Sequence, residues 1–182
     1  MKKLLFIAAL LVLTKGFSQT DMNVEKNMFK VNFLMPGIEY EHGVTKNTTL
    51  QLGLGTGFTY ESTFGVESAG LFVNLEAQYR YYYNFDRRIR KEKSITNNTG
   101  NYISLMTLYQ PGKPILGNIR DYNDAFVAGP VYGLQRTYNS GFNWGLETGV
   151  VFYTGRDHSG WFNDDNIIMP WLSVSIGWVI GK

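Results

Sequence analysis

The sequence contains no cysteine and, beyond its first residues, no long hydrophobic run. The missing cysteine excludes disulfide bonds, thiolate metal sites and a cysteine-linked lipid anchor. The missing apolar runs exclude membrane-spanning helices, whereas a β-barrel, whose strands alternate, stays compatible with the composition.

Linkers, repeats and low-complexity tracts are also missing, so we expect one domain, residues 20–182, after a leader. A strong charge of one sign is missing as well. The formal net charge is +2, and the leader holds three lysines and no acid, which leaves −1 for the mature chain. We therefore expect no nucleic-acid partner.

Residues 1–19 have the pattern of a cleaved signal peptide. Lys2 and Lys3 form a positive start, residues 4–13 are apolar, and residues 16–19 make a cleavage zone. The apolar run of about ten residues is shorter than the roughly 17–25 that a membrane-spanning helix requires. We expect export, cleavage near Gln19 and location in the outer membrane of a Gram-negative bacterium.

The sequence is rich in aromatic residues (15%) and in glycine (20 residues), and several segments alternate apolar with polar side chains. In Leu71–Asp86 the odd positions are apolar or aromatic, while the even ones include Asn74, Glu76, Gln78 and Arg80. Thr48–Tyr60 and Phe142–Tyr153 follow the same rule. A strand with one face in lipid and the other in a polar interior shows this period of two.

Four weaker segments bring the predicted strands to seven: Lys30–Glu41, Asn101–Tyr109, Ala125–Tyr138 and Ile167–Ile180. Closed bacterial barrels have even strand counts, so we expect an eighth strand within Lys113–Tyr122 or near the mature N-terminus. We interpret Pro36 and Gly37 as a bulge within the first strand. Proline has no backbone N–H, so we expect Pro130 at a position where the strand does not need to donate a hydrogen bond to its neighbour.

Polar segments separate these strands, and we interpret them as turns: His42–Asn47, Glu61–Ala69, Arg87–Gly100, Asn139–Gly141 and Gly155–Asn166. The predicted fold is all-β: a closed antiparallel up-and-down transmembrane β-barrel of about eight strands. Clusters such as Tyr79, Tyr81, Tyr82 and Tyr83, or Trp171 and Trp178 near the end, suit its aromatic girdles. The alternative is a soluble β-sandwich, whose outer face should be polar, whereas the continuous face here is Leu, Val, Phe and Tyr.

Loose sequence patterns cover most of the mature chain. They are the leader ending in Phe17-Ser18-Gln19, the segment Leu34–Glu41, the run Tyr79–Asn84, the stretch Tyr132–Arg136 and the ending Gly177–Lys182. In these patterns the chain resembles the small outer-membrane β-barrel proteins common in Bacteroidota. The resemblance implies a fold and a location; members of this group mostly have no assigned biochemical activity.

The alternation places Glu39, Glu76, Arg80 and Glu147 on the inner face. An eight-stranded barrel is only just filled by its side chains, so we expect these charges to pair and plug the lumen. A solute or proton path would need a wider barrel. We attribute Gly53, Gly55 and Gly57, which share one face, to close approach of inner side chains rather than to a phosphate loop.

A basic turn follows the clearest strand and consists of Arg87, Arg88, Arg90, Lys91 and Lys93. Its charge suits the phosphates of lipid headgroups or lipopolysaccharide. The other interpretation is a solvated turn that ends the strand and anchors it at the interface.

Evidence for catalysis is weak. His158 and Ser159 are adjacent, and adjacent residues of a strand point to opposite faces, which is wrong for a hydrolase pair. His42 has no serine partner near it in sequence. Asp157, Asp164 and Asp165 could bind a divalent cation, but solvated loop acids are commoner. We expect no catalytic residues, no metal and no cofactor.

These observations favour a structural or interaction barrel that contacts outer-membrane lipid and lipopolysaccharide and needs the barrel-assembly machinery for insertion. Its loops, notably Glu61–Ala69 and Gly155–Asn166 with Trp161 and Phe162, would contact envelope or surface partners whose identity the sequence does not reveal. One alternative is a narrow channel or transporter for small or hydrophobic solutes. The other is an outer-membrane lipid hydrolase.

Overall fold

The computed structural model describes residues 22–63, 66–119, 124–155 and 166–181. The leader and the segment 156–165, with His158, Ser159, Trp161 and Asp164, lie outside the described residues. The described chain is all-β, and its strands are β1 Asn27–Asn32, β2 Gly37–Thr45, β3 Thr48–Thr63, β4 Val66–Tyr81, β5 Gly100–Gln110, β6 Leu116–Gly117, β7 Ala125–Thr137, β8 Phe142–Thr154 and β9 Asn166–Gly181. A short helix, α1 Phe85–Arg90, and a 3-10 turn, Thr96–Asn98, lie between β4 and β5.

The strands form one nine-stranded antiparallel sheet whose pairings close into a ring. The hydrogen-bonded order is β3-β2-β1-β9-β8-β7-β5-β4, and β4 also pairs with β3. Eight strands therefore make the ring, while the two-residue β6 adds to β4 from a connection. No helix in the described part of the chain is both long and apolar enough to cross a membrane.

The prediction of one bulged strand over Lys30–Glu41 is wrong. The segment is a hairpin in which β1 pairs with β2, and residues 33–36 form the turn. Pro36 sits at the end of this turn, where its missing N–H costs no ladder hydrogen bond. The eighth strand of the ring is therefore β1, and the described part of the Lys113–Tyr122 region contributes only β6.

Several predicted turns are shorter than expected. His42–Thr45 belongs to β2, and the β3–β4 ladder extends from Thr48↔Tyr81 to Thr63↔Val66, through most of the predicted turn Glu61–Ala69. β4 ends at Tyr81, so Asp86 belongs to α1, and the predicted turn Arg87–Gly100 is partly helical. The turn at Asn139–Gly141 is confirmed, with Gly141 at φ +89°.

Pro130 lies in β7, where the ladder with β8 breaks. Pairing runs from Phe126 to Ala128 and resumes at Val131. Proline donates no backbone hydrogen bond, so this break is where the strand tolerates it, as predicted.

The two faces of the ring have opposite character. On β4 the even positions Phe72, Gln78 and Arg80 are buried, while Tyr79 and Tyr81 are exposed. The other strands repeat this alternation, so charged and amide side chains point inward and large apolar ones outward.

The interior has three zones. Val24, Tyr82, Phe85 and Tyr102 form an apolar cluster at the end of the ring that carries α1, which we call the helical end. A second apolar cluster, on β5, β7 and β8, contains Met106, Val127, Val131 and Val151. Buried polar side chains of β1, β2, β3, β4, β5, β7 and β8 form the third zone.

The wall is not continuous at the opposite end. The β1–β2 hairpin stops at residues 33–36, whereas β3 and β9 on either side of it continue. In the described chain, β3 residues 57–63 pair only with β4, and β9 residues 166–175 pair only with β8. We call this gap between β3 and β9, above the hairpin tip, the notch.

Candidate functional site

The buried charges of the ring form one ionic network. β1 supplies Lys30, β2 supplies Glu39 and Glu41, β4 supplies Arg80, and β8 supplies Glu147. Each stands at an inward position of its strand, so the ring's closure brings strands distant in sequence to a common centre.

Arg80 is the centre of this network. Its Nη2 lies 3.1 Å from Glu147 Oε1, and its Nη1 lies 3.6 Å from Glu41 Oε2. Its Nε donates a hydrogen bond to Gln78 Oε1 at 2.9 Å, and the guanidinium lies 4.5 Å from the centre of the Tyr102 ring. A guanidinium with its donors in a fixed plane suits this multiple contact better than a lysine would.

Lys30 is the second buried cation. Its Nζ lies 2.6 Å from Glu39 Oε2 and 3.8 Å from Glu41 Oε2, and it donates to Gln135 Oε1 at 2.9 Å. Glu41 is further held by the hydroxyls of Thr49 and Tyr82, each of which donates to its Oε1 at 2.7 Å. Such hydrogen bonds are what makes burial of the charges tolerable.

Glu76 stands apart from these ion pairs. Within the described residues no cation lies within ion-pair distance of it. It is joined to the network through amides, because Gln78 Nε2 donates to Glu76 Oε1 at 2.7 Å and Gln51 Nε2 does so at 3.3 Å. Among the described residues, four inner acidic side chains thus face two inner cations, and Glu76 is the acid without a cationic partner.

Of the predicted inner residues, Glu39, Arg80 and Glu147 make ion pairs within one network, and Glu76 lies at its edge. Sequence reasoning missed Lys30 and Glu41. Lys30 lies directly opposite Glu39 across the β1–β2 ladder, a pairing hidden as long as the two residues are assigned to one strand. The available signal was a cation and an acid that each stand opposite the apolar phase of their own segment, one before and one after Pro36-Gly37.

The basic residues lie at the helical end and do not join this network. Arg87, Arg88 and Arg90 belong to α1, and Lys91 and Lys93 follow it. Arg87, Arg88, Lys91 and Lys93, with Tyr83, Asn84 and Asn101, line a shallow cavity of about 210 Å³. Arg88 donates two hydrogen bonds to Ser94 O, and partial burial, reinforced by the charge of Arg136, lowers the pKa of Arg88. The cavity therefore presents concentrated positive charge, which suits an anion.

Most of the residues considered for catalysis lie in a segment that the structure does not describe. His158 and Ser159, like Asp157, Asp164 and Asp165, lie outside the described residues. His42 is not in a turn but in β2, where its Nδ1 lies 3.0 Å from Asn27 Oδ1 and 3.3 Å from the Tyr40 hydroxyl.

No family model matches the chain, and comparison with the curated proteins and with the solved structures found no match.

Proposed function

We propose that the chain is an integral β-barrel of a bacterial outer membrane, of structural or interaction type. The observation that carries this proposal is the inverted distribution of polarity around the ring. Inner positions hold Arg80, Glu41 and Gln78, whereas outer positions leave Leu52 50%, Leu105 61% and Leu172 73% exposed. Soluble proteins rarely expose contiguous apolar surface on this scale, and a lipid-facing wall requires it.

The outer wall is also banded in the way that a bilayer favours. Tyr81, Tyr138 and Trp178 are exposed near the helical end, and Phe58, Phe126 and Phe152 near the opposite end. Aliphatic side chains such as Leu105 occupy the level between them. Aromatic rings settle at headgroup depth, so two aromatic bands about one apolar layer match two membrane interfaces.

The interior supports a non-conducting barrel. Its buried ion pairs and hydrogen bonds join β1, β2, β4, β7 and β8 across the lumen, and the cluster of Val24 and Phe85 covers the helical end. An eight-stranded wall encloses only enough space for side chains. The barrel then acts through its exposed parts. Its connections contact envelope or surface partners, and the basic residues around α1 contact phosphates of lipid or lipopolysaccharide.

The first test is the electrophoretic mobility of the membrane fraction with and without boiling. A closed barrel resists detergent, so the unheated protein should migrate as a compact species in the outer-membrane fraction and shift on boiling. Identical mobility in both samples, with the protein in a soluble periplasmic fraction, would overturn the proposal and favour a soluble sandwich.

A further inference from the structure

The notch above the β1–β2 hairpin contains a cavity of about 270 Å³. The cavity is bounded by the hairpin below, by β3 on one side and by β9 on the other. Neighbouring strands lie about 4.8 Å apart, so a wall that lacks two strands leaves a gap of about 14 Å along its circumference. The cavity therefore joins the outer surface of the wall to its interior.

The inner half of the cavity has unused hydrogen-bonding capacity. Gln51 is only 1% exposed, and its Oε1 has no hydrogen-bond partner. Asn74 Oδ1 and Trp171 Nε1, which belong to residues of the same lining, are likewise buried without a partner. Nearly all buried polar groups in proteins are satisfied, so these three atoms leave the cavity with hydrogen-bonding capacity that a polar occupant can use.

The acid at this position has no cationic partner in the described chain. Glu76 lines the cavity and lies in no ion pair among the described residues, while Glu39 beside it is already paired with Lys30. Two unused carbonyl oxygens and an acid without a cationic partner suit a ligand group that donates hydrogen bonds and carries positive charge.

The outer half of the cavity is apolar. Ile38, Leu54 and Val174 line it and continue the exposed wall. The hairpin tip below is apolar too, since Phe33, Leu34 and Met35 are all exposed. Turns in water are normally polar, so this tip places the lower rim of the notch in the apolar layer of the bilayer. Within the described chain, the flanking edges of β3 and β9 have no strand partner across the notch, and unpaired backbone groups are costly at that depth unless the notch is occupied.

We propose that the notch binds a membrane amphiphile with a primary ammonium head. The head enters between β3 and β9 to meet Glu76, Gln51 and Asn74, and the alkyl chain stays against Leu54 and Val174. The absence of a side chain at Gly55 keeps the passage open. This inference rests on the proposed membrane location. Such an ammonium could belong to a free long-chain amine or to the headgroup of an aminophospholipid.

The test uses the full mature chain refolded in detergent. After its heat-modifiable form is verified, it is irradiated with a dodecylamine probe that carries a diazirine in its chain, and labelled peptides are identified by mass spectrometry. We expect labelling concentrated on residues 54–58 and 172–175, and tenfold weaker with the carboxylic acid probe of equal length. Unlabelled dodecylamine should displace the probe; displacement by phosphatidylethanolamine as well would identify a lipid headgroup as the natural source.

Two variants and one matched control sharpen this result. Glu76→Gln should weaken apparent binding about tenfold or more, and Gly55→Leu should abolish labelling by filling the passage. Glu67→Gln, which alters an exposed acid on the same strand, should bind like the wild type. Glu76→Gln alone suffices if Gly55→Leu does not fold.

The inference would be overturned by labelling spread evenly around the wall, by equal labelling with the acid probe, or by normal binding of Glu76→Gln. If the wild-type chain shows no heat-modifiable form, the proposed function fails and this inference fails with it. If the protein forms a compact, heat-modifiable barrel but shows no site-specific labelling, the inference fails and the proposed function stands.

Discussion

At the scale of single residues, Arg80 has the largest consequence for the interior. It touches carboxylates from two other strands. Among the described residues Glu147 has no other cation within ion-pair distance, while Glu41 keeps only Lys30, at 3.8 Å. Removing one member of a buried ion pair leaves an uncompensated charge, which costs more than the pair itself contributes.

Arg80→Met should therefore lower the free energy of unfolding by about 3–5 kcal/mol. Arg80→Lys should lose less, because the charge is kept while the planar set of donors is lost. Reversible urea unfolding in lipid vesicles measures both. Arg87→Met, which removes an exposed arginine of α1, should stay within about 0.5 kcal/mol of the wild type. An Arg80→Met midpoint equal to that of the wild type would contradict the central role of Arg80.

Residue identities in the interior were only partly predictable. Alternation alone places Glu39, Arg80 and Glu147 inside, since one phase of each strand is apolar. It does not reveal partners, because a partner depends on register and ring closure. Lys30 shows the difference: its side of the wall follows from alternation, but its contact with Glu39 exists only once β1 and β2 are separate strands.

At the scale of elements, the β1–β2 hairpin is the one that the sequence pattern did not predict. Its turn contains Phe33, Leu34 and Met35, so its composition is that of a strand. Turn signals reflect the preference of turns for water, and an apolar turn gives none. The hairpins with polar turns, such as Asn139–Gly141, were predictable for the same reason.

The β2–β3 ladder gives a matched pair of glycine variants. Gly37 and Gly55 are partners across the ladder. A methyl group on Gly37 would lie 2.8 Å from Gly55 Cα and Leu54 O, which are backbone atoms and cannot yield easily. On Gly55 the nearest atom is Pro36 O at 3.9 Å. Gly37→Ala should cost about 1–3 kcal/mol in the same urea assay and Gly55→Ala much less; equal effects would contradict the register.

The outer face of β5 allows a test of lipid contact. Leu105 lies at mid-strand, between the two aromatic bands, whereas Leu116 of β6 lies in the connection that follows β5. Leu105→Arg should cost about 2–4 kcal/mol and Leu116→Arg about 0–1, because the cost of a charge in lipid depends on depth. Urea unfolding in vesicles again provides the measurement. A small, equal cost at both positions would indicate that the face is wetted.

At the scale of the whole molecule, the filled interior predicts that the protein conducts no ions. Planar bilayers that contain the refolded protein should show no stepped conductance, because the Lys30 and Arg80 network and the apolar cluster at the helical end obstruct the lumen. Discrete conductance steps in the wild type would favour the channel alternative. An inserted, heat-modifiable but silent protein is the expected result.

The overall architecture was largely predictable, and its irregularities were not. A period of two repeated over many segments requires strands with two unlike faces, and a chain with many such strands satisfies its edges by closing the sheet. The notch does not follow from that rule, because it depends on the difference in length between β1–β2 and their neighbours. The end of a strand depends on whether its last residues form a turn or pair with the neighbouring strand, and alternation does not predict which of the two they do.

The pairing of β1 with β9 also governs how the molecule assembles. Phe29 faces Gly181 across this seam, although nearly the whole described chain separates them. Contacts so distant in sequence form slowly, because a long loop must close first. Until β9 arrives, the growing sheet has two open edges that can pair with other chains. Closure of this seam therefore competes kinetically with aggregation. Any factor that shields the open edges favours closure.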